Sequence, residues 1–267
     1  MSNAAESAAR EVQSSPVMTG LARGGYAASG AVHVLTGILV LSLAFGGSGT
    51  ADQGGALRAI AGAPLGLAAL WVIAVMLGAL ALYQLIQGFV VRAESTAKRW
   101  GQRISAWGQA VVYGALASVA VSVALGARPD GDDRAEGASR DVLALPGGSI
   151  LLWVVGAGIA IGGIVFVVMG IMRSFEKKMS IPSGRLGTFV KTLGVFGYIA
   201  KGVALAIVGV LLIVAATTSD AAQAGGLDAA FGALREVFLG PLLVAIVGVG
   251  FIAYGVFQFF RARYARL

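Results

Sequence analysis

Residues 150–172 read ILLWVVGAGIAIGGIVFVVMGIM, and they sit inside a run of 31 residues without a charge between Asp141 and Arg173. A helix rises about 1.5 Å per residue, so roughly 20 apolar residues in helix cross a hydrocarbon core about 30 Å thick. Buried strands stop after about four to eight residues, so this run is a membrane-crossing helix. Working outward, the same pattern recurs. Arg23 and Asp52 enclose 28 uncharged residues, Arg58 and Arg92 enclose 33, Arg103 and Arg128 enclose 24, and Glu236 and Arg261 enclose 24; Lys191 to Asp220 is broken only by Lys201. The sequence therefore predicts six transmembrane helices, at about 25–45, 66–90, 105–125, 150–172, 194–216 and 237–260. The first is longer than a typical signal-peptide core, and Ala44-Phe45-Gly46 is a poor small-x-small cleavage site, so it reads as a retained helix.

Composition agrees. Of 267 residues 57% are hydrophobic and 12% charged, against about 25% charged in an ordinary soluble domain. The absence of cysteine removes thiol nucleophiles, disulfides, and cysteine-held zinc or iron–sulfur sites. The net charge of +7 is explained by where the charges fall. The N-terminal segment and the segments after the second, fourth and sixth helices hold 14 Lys and Arg, the other side five, and the acids divide the opposite way. Short-loop Lys/Arg bias predicts both termini in the cytoplasm, and with the charge read as a topology signal nucleic acid is not expected as a partner.

The chain also repeats itself. Gly25-Tyr26-Ala27-Ala28-Ser29-Gly30 opens the first helix and Gly197-Tyr198-Ile199-Ala200-Lys201-Gly202 the fifth, each followed seven residues later by Gly37 or Gly209. Tyr83 precedes Gln87 by four residues and Tyr254 precedes Gln258 by four; Phe166 and Gly170 hold that spacing in the fourth helix. Short, partly amphipathic segments before Pro64, Pro146 and Pro241 mark the far-side loops. The expected organisation is a disordered cytoplasmic tail over 1–20 and three two-helix repeats over 21–93, 100–175 and 193–263. A two-helix unit returns the chain to its starting side, so three copies would relate by a pseudo-threefold axis along the membrane normal. The fold class is all-α, a six-helix polytopic bundle of three pseudo-repeated hairpins.

The repeated Gly-Tyr-x-Ala-x-Gly hairpin, Gly209, Ala215-Ala216 and the closing Phe260-Arg261-Ala262-Arg263-Tyr264 resemble the bacterial integral-membrane family known as domain of unknown function 1206, from about residue 20 onward. The resemblance implies three two-helix repeats and a bacterial plasma-membrane location, and carries neither an activity nor catalytic residues. Lys201 stands where that family is expected to have arginine, and Ala106-Trp107-Gly108-Gln109 replaces the Gly-Tyr pattern in the middle repeat.

Few residues could carry chemistry. No Asp or Glu lies in a predicted span, which argues against a proton-coupled machine. Lys201, the one charge within a span, reads as a side chain snorkelling to the headgroups, the sharper alternative being an anion or lipid-headgroup contact beside Tyr198 or Gln258. His33 is the only histidine, too few for a bis-histidine haem or a zinc site, and reads as a hydrogen-bonded packing residue. Gln84, Gln87, Gln109 and Gln258 are candidates for interhelical hydrogen bonds or a polar path. Gly30, Gly37, Gly158, Gly162, Gly202 and Gly209 are candidates for close helix packing. Tyr26, Tyr198, Trp71, Trp100, Trp107 and Trp153 read as interfacial anchors, and the acids around Asp130, Asp132, Asp133 and Glu136 as a solvated loop. No catalytic residue, metal site or cofactor is expected. The leading functional reading is a non-enzymatic scaffold or accessory protein binding lipid, other membrane proteins or itself; the alternative is a channel or uncoupled facilitator along the axis.

Overall fold

The computed structural model describes Glu11 and residues 15–47, 49–91, 95–128 and 130–267. Nine α-helices are present among them: α1 (Pro16–Ala44), α2 (Gln53–Ala61), α3 (Gly66–Val90), α4 (Thr96–Ala124), α5 (Gly131–Leu143), α6 (Gly148–Ile171), α7 (Gly184–Thr218), α8 (Leu227–Glu236) and α9 (Gly240–Tyr264). Six of them, α1, α3, α4, α6, α7 and α9, are long and apolar enough to cross a membrane. The chain is an all-helical, multi-pass membrane protein.

Helices α1, α4 and α7 start nine or ten residues before the expected positions. Ser15, Ser95 and Ser183 stand at their N-caps in extended backbone; the hydroxyls of Ser15 and Ser95 accept from the Met18 and Lys98 amides, and Pro16 sits at the first helical position. These extra turns carry Arg and Lys, so hydropathy does not mark them. Residues 16–20 of the expected disordered tail are thus helical; residues 1–10 and 12–14, with Glu6 and Arg10, lie outside the described residues, as do Arg92 and Glu94.

Helices α2, α5 and α8 are short and lie between the two long helices of each repeat. The acidic segment expected as a solvated loop is α5. Asp130 caps it through the Asp132 amide, Asp132 and Asp133 occupy its positive first turn, and Arg140 pairs with Glu136 one turn away. Each short helix ends in the same turn. Leu65, Gly147 and Leu239 adopt φ of 61°, 75° and 60°, and each is followed by a glycine, Gly66, Gly148 or Gly240. A Cβ on those glycines would collide with the carbonyl oxygen of Ile60, Val142 or Arg235.

Aspartates join the three turns at this end. Asp228 of α8 accepts from the Ala51 amide ahead of α2 (2.7 Å), and Asp132 of α5 accepts from the Gly226 amide ahead of α8 (2.7 Å). Asp52, which caps α2 through the Gly55 amide, sets its other carboxylate oxygen against Gly131 at the start of α5. The cycle closes. Burial, with neighbouring aspartates adding to it, raises the Asp52 and Asp132 pKa above the ordinary carboxylate range.

The long helices pack mainly across repeat boundaries: α6 lies along α7, α9 along α1, and α3 along α4, while α1–α3 and α7–α9 contacts join these pairs. Within the middle repeat α4 and α6 scarcely touch. The order around the bundle is therefore α4, α3, α1, α9, α7, α6, open between its ends, and the packing does not establish a threefold axis. Glycine sets two of the pairs. Cβ atoms on Gly30 and Gly255 would lie 2.8 and 2.6 Å from each other's carbonyl oxygens, and those on Gly37 and Gly248 would lie 2.7 and 3.1 Å away. Between α6 and α7 the reciprocal partners are Gly163 with Gly202 (2.6 Å both ways) and Gly156 with Gly209 (2.9 and 2.7 Å). All four glycine pairs repeat at seven-residue spacing. Gly158 and Gly162 have nothing within 4 Å and are corrected to Gly156 and Gly163, because the face turned to α7 follows the spacing of seven on its partner. The outer face of α6, with Ile150, Trp153, Val154, Ile161, Ile164 and Val168 exposed, is left to lipid.

Candidate functional site

The basic end of the bundle contains a cavity of about 290 Å³. It is walled by Tyr26 of α1, by Tyr83, Gln84 and Gln87 of α3, and by Gln102, Ser105 and Gln109 of α4. Lys177 and Lys178 enter from the 3₁₀ turn after α6, and Arg261, Ala265 and Arg266 from the end of α9. Among the described residues four cationic side chains line this space, and no Asp or Glu side chain does.

Local structure explains why the cations stay together. Met179 and Ala265 form an antiparallel bridge. The Ser180 amide donates to the Tyr264 carbonyl (2.8 Å), the Arg266 amide to the Lys178 carbonyl (3.1 Å), and Arg266 Nε to Ser180 Oγ (3.1 Å). This backbone clasp fixes the lysine turn against the arginine-bearing helix end despite like charge. Phe175 anchors the turn by stacking on Tyr198 at 5.3 Å. Burial, and the Arg261 charge after it, lower the Lys178 pKa from its ordinary value.

Arg261 is the most confined of the four, 8% exposed. Its guanidinium carbon stands 4.4 Å over the Tyr26 ring, a cation–π contact. It makes no side-chain hydrogen bond or ion pair to another described residue. The opposite wall is neutral and donor-rich: Gln84 Nε2 donates to Gln109 Oε1 (2.8 Å), and Gln109 Nε2 donates to the Ser105 carbonyl (3.1 Å). One buried cation, Arg261, and three exposed ones, Lys177, Lys178 and Arg266, set beside amide and hydroxyl donors with no Asp or Glu side chain among the described lining residues, make a receptor for an anion.

Deeper in the bundle lies a second polar group. His33 is 1% exposed. Its Nδ1 is 2.7 Å from the Ser29 carbonyl, which only accepts, so Nδ1 carries the proton and Nε2 is left as an acceptor. Lys201 Nζ donates to that Nε2 at 3.1 Å and stands 4.5 Å from the Tyr254 ring centroid. The ammonium thus points inward, which corrects the snorkelling reading: an imidazole and an aromatic face attract it there. Around this pair His33, Phe251, Tyr254, Tyr198 and Phe257 are in ring contact. Gln258 is fully buried, with neither amide atom hydrogen-bonded among the described residues.

Of the sequence candidates, Gln84, Gln87 and Gln109 are brought together on the cavity wall, His33 and Lys201 pair below it, and Gln258 lies in the packed interior. Tyr26 and Tyr198 are buried in the bundle, not interfacial anchors, because Arg261 and the aromatic cluster take them up; Trp71, Trp100 and Trp153 are exposed. Arg261, Lys177, Lys178 and Arg266 were legible only as part of the charge bias. Their convergence needed the clasp, for which the sequence has no signal beyond Phe260-Arg261-Ala262-Arg263-Tyr264.

Comparison with known proteins places these features in a wider group. The model of the family described as Domain of Unknown Function (DUF1206) matches the chain three times, over residues 24–90, 104–173 and 196–265, one match per pair of long helices. The chain is also 28% identical to the uncharacterized protein YxxB of Bacillus subtilis (strain 168), over 96% of its own length and 94% of that protein's. No solved structure matches it.

Proposed function

The chain belongs to the DUF1206 family, and from its interior we propose that it is a non-enzymatic bacterial plasma-membrane protein, both termini cytoplasmic, that binds an anionic lipid headgroup in the basic cavity. The observation that carries this reading is Arg261, a buried cation facing the cavity with no Asp or Glu partner among the described residues. Such a charge is costly to hold at membrane depth unless an anion meets it. Lys/Arg bias supports placing this end at the cytoplasmic leaflet, where anionic headgroups attract basic segments. A lipid source is favoured over a soluble one because α4 and α6 scarcely touch, which leaves room for an acyl chain to pass between them. Exposed Gln102 and Ser105, followed by Gln109, line the α4 side of the cavity at i, i+3 and i+7. Bound lipid of this kind suits an accessory or scaffold role in the membrane. The channel reading has less support, since the aromatic cluster around His33 fills the interior beyond the cavity.

The test is the lipid that stays with the protein through purification. Wild type should retain anionic phospholipid, and Arg261→Gln and Lys178→Gln should lose most of it. Identical lipid complements in all three would overturn the reading. Solute flux through proteoliposomes above that of empty vesicles would replace it with the channel.

A further inference from the structure

The cavity offers more charge than a common phospholipid can use. We propose that it selects a lipid whose headgroup ends in a multiply charged phosphate, a phosphomonoester or a diphosphate, over one whose phosphate is a diester. The proposal rests on the lipid reading above and names the chemistry of its ligand.

The argument begins with the charge balance. Arg261, Lys177, Lys178 and Arg266 line the cavity, and among the described residues no Asp or Glu side chain does. None of the four forms an ion pair with another described residue; the neighbouring carboxylate of Glu176 is engaged by Lys191 at 3.1 Å. A phosphodiester brings one negative charge, whereas a terminal phosphate brings about −1.5 to −2 at pH 7 and three strong acceptor oxygens. The wall matches those oxygens: the guanidinium offers a planar fork, the lysines point charges, and Gln102 and Ser105 carry neutral donors. The clasp between residues 178–180 and 264–266 holds the lysine turn against the arginine-bearing end of α9, so mutual repulsion among the cations is built into the fold. An anion of higher charge relieves more of it. The lowered Lys178 pKa, owed to burial and then to Arg261, is consistent with that repulsion.

The full-length chain, in nanodiscs of phosphatidylcholine, is challenged with phosphatidic acid or phosphatidylglycerol at matched total charge. Bound lipid is read by native mass spectrometry and the thermal midpoint is followed in parallel. Inorganic phosphate and pyrophosphate form separate soluble arms. Phosphatidic acid should be retained at least tenfold better than phosphatidylglycerol. The preference should collapse in Lys178→Gln and Arg261→Gln and survive in Arg263→Gln, whose exposed side chain lies at the same end outside the cavity. An independent arm needs no variant: the monoester returns to a single charge as pH falls below its second pKa near 6, so the wild-type preference should shrink toward unity at about pH 5. Equal retention of the two lipids at neutral pH overturns the selectivity and leaves lipid binding standing. Retention of neither overturns both. Stabilisation by inorganic phosphate or pyrophosphate equal to that by phosphatidic acid overturns the lipid source.

Discussion

Replacing Gly255 by alanine adds a single methyl group at the point where α9 crosses α1. That methyl would lie 2.6 Å from the Gly30 carbonyl oxygen and 2.6 Å from Val34 Cγ2. Ordinary contact begins near 3.4 Å, so the two helices must part by about 0.8 Å. Both of the nearest obstacles sit on α1, one of them backbone, so rotating a flexible side chain cannot make the room. Overpacking of this kind costs about 1–3 kcal/mol. The same substitution at Gly158 meets nothing within 4 Å and gains helix propensity, up to about 1 kcal/mol. The two variants should therefore move stability in opposite directions, or at least differ by more than about 1 kcal/mol. Equilibrium unfolding in mild detergent, followed by helical circular dichroism, measures the difference. A Gly30→Ala/Gly255→Ala double variant adds a check, since both methyls demand the same separation and the combined cost should fall short of additive. Equal destabilisation by Gly158→Ala and Gly255→Ala would refute the glycine-seam account, as would no loss at Gly255.

Other expectations follow from single contacts. Asp228→Ala removes the acceptor of the Ala51 amide and should cost up to about 1.5–3 kcal/mol, with Asp228→Asn keeping part of it, as read by thermal unfolding. Burial raises the Asp52 and Asp132 carboxyl pKa values. The folded chain therefore takes up these protons at higher pH than the unfolded one, and their burial cost is relieved as pH falls from neutral toward 3.8. Asp52→Asn should accordingly flatten the stability profile in that window. Lys201→Met leaves His33 Nε2 without its donor and should destabilise by about 1–3 kcal/mol, with Lys201→Met/His33→Phe recovering part of the loss in the same assay. Leu239→Gly should stabilise by up to about 1–2 kcal/mol in thermal unfolding, because the leucine holds a left-handed backbone there; Gly147 already occupies the equivalent place in the second repeat.

Much of the architecture could be read from charge spacing alone, and the reason is physical. A bilayer demands long uncharged helices, so the third helix in the chain spans the expected 66–90. The same rule hides the first turns of α1, α4 and α7, where serine caps and basic residues continue the helix past the apolar run. Gly30, Gly37, Gly202 and Gly209 could be picked out because the first and third repeats share them, yet the partner face of α6 could not. A short glycine spacing at 158 and 162 is as visible in sequence as the seven-residue spacing at 156 and 163, and only the neighbouring helix distinguishes them. Lys201 illustrates the limit more sharply. Its distance from the helix end permits either direction, and the choice is made by His33 and Tyr254, residues on two other helices. Arg261 is the first charge after a span, which in sequence is the mark of an interfacial residue. It is the clasp to residues 178–180 that folds it into a cavity instead.

The central claim is that an anion fills the basic cavity from the membrane, and cryo-electron microscopy of the full-length chain in native-lipid nanodiscs tests it most directly. The account predicts phosphate-strength density within hydrogen-bonding reach of Arg261 and Lys178, continuous with acyl-chain density passing between α4 and α6. A cavity holding only water, or one whose cations are met by the chain's own carboxylates with lipid confined to the outer surface, would contradict it.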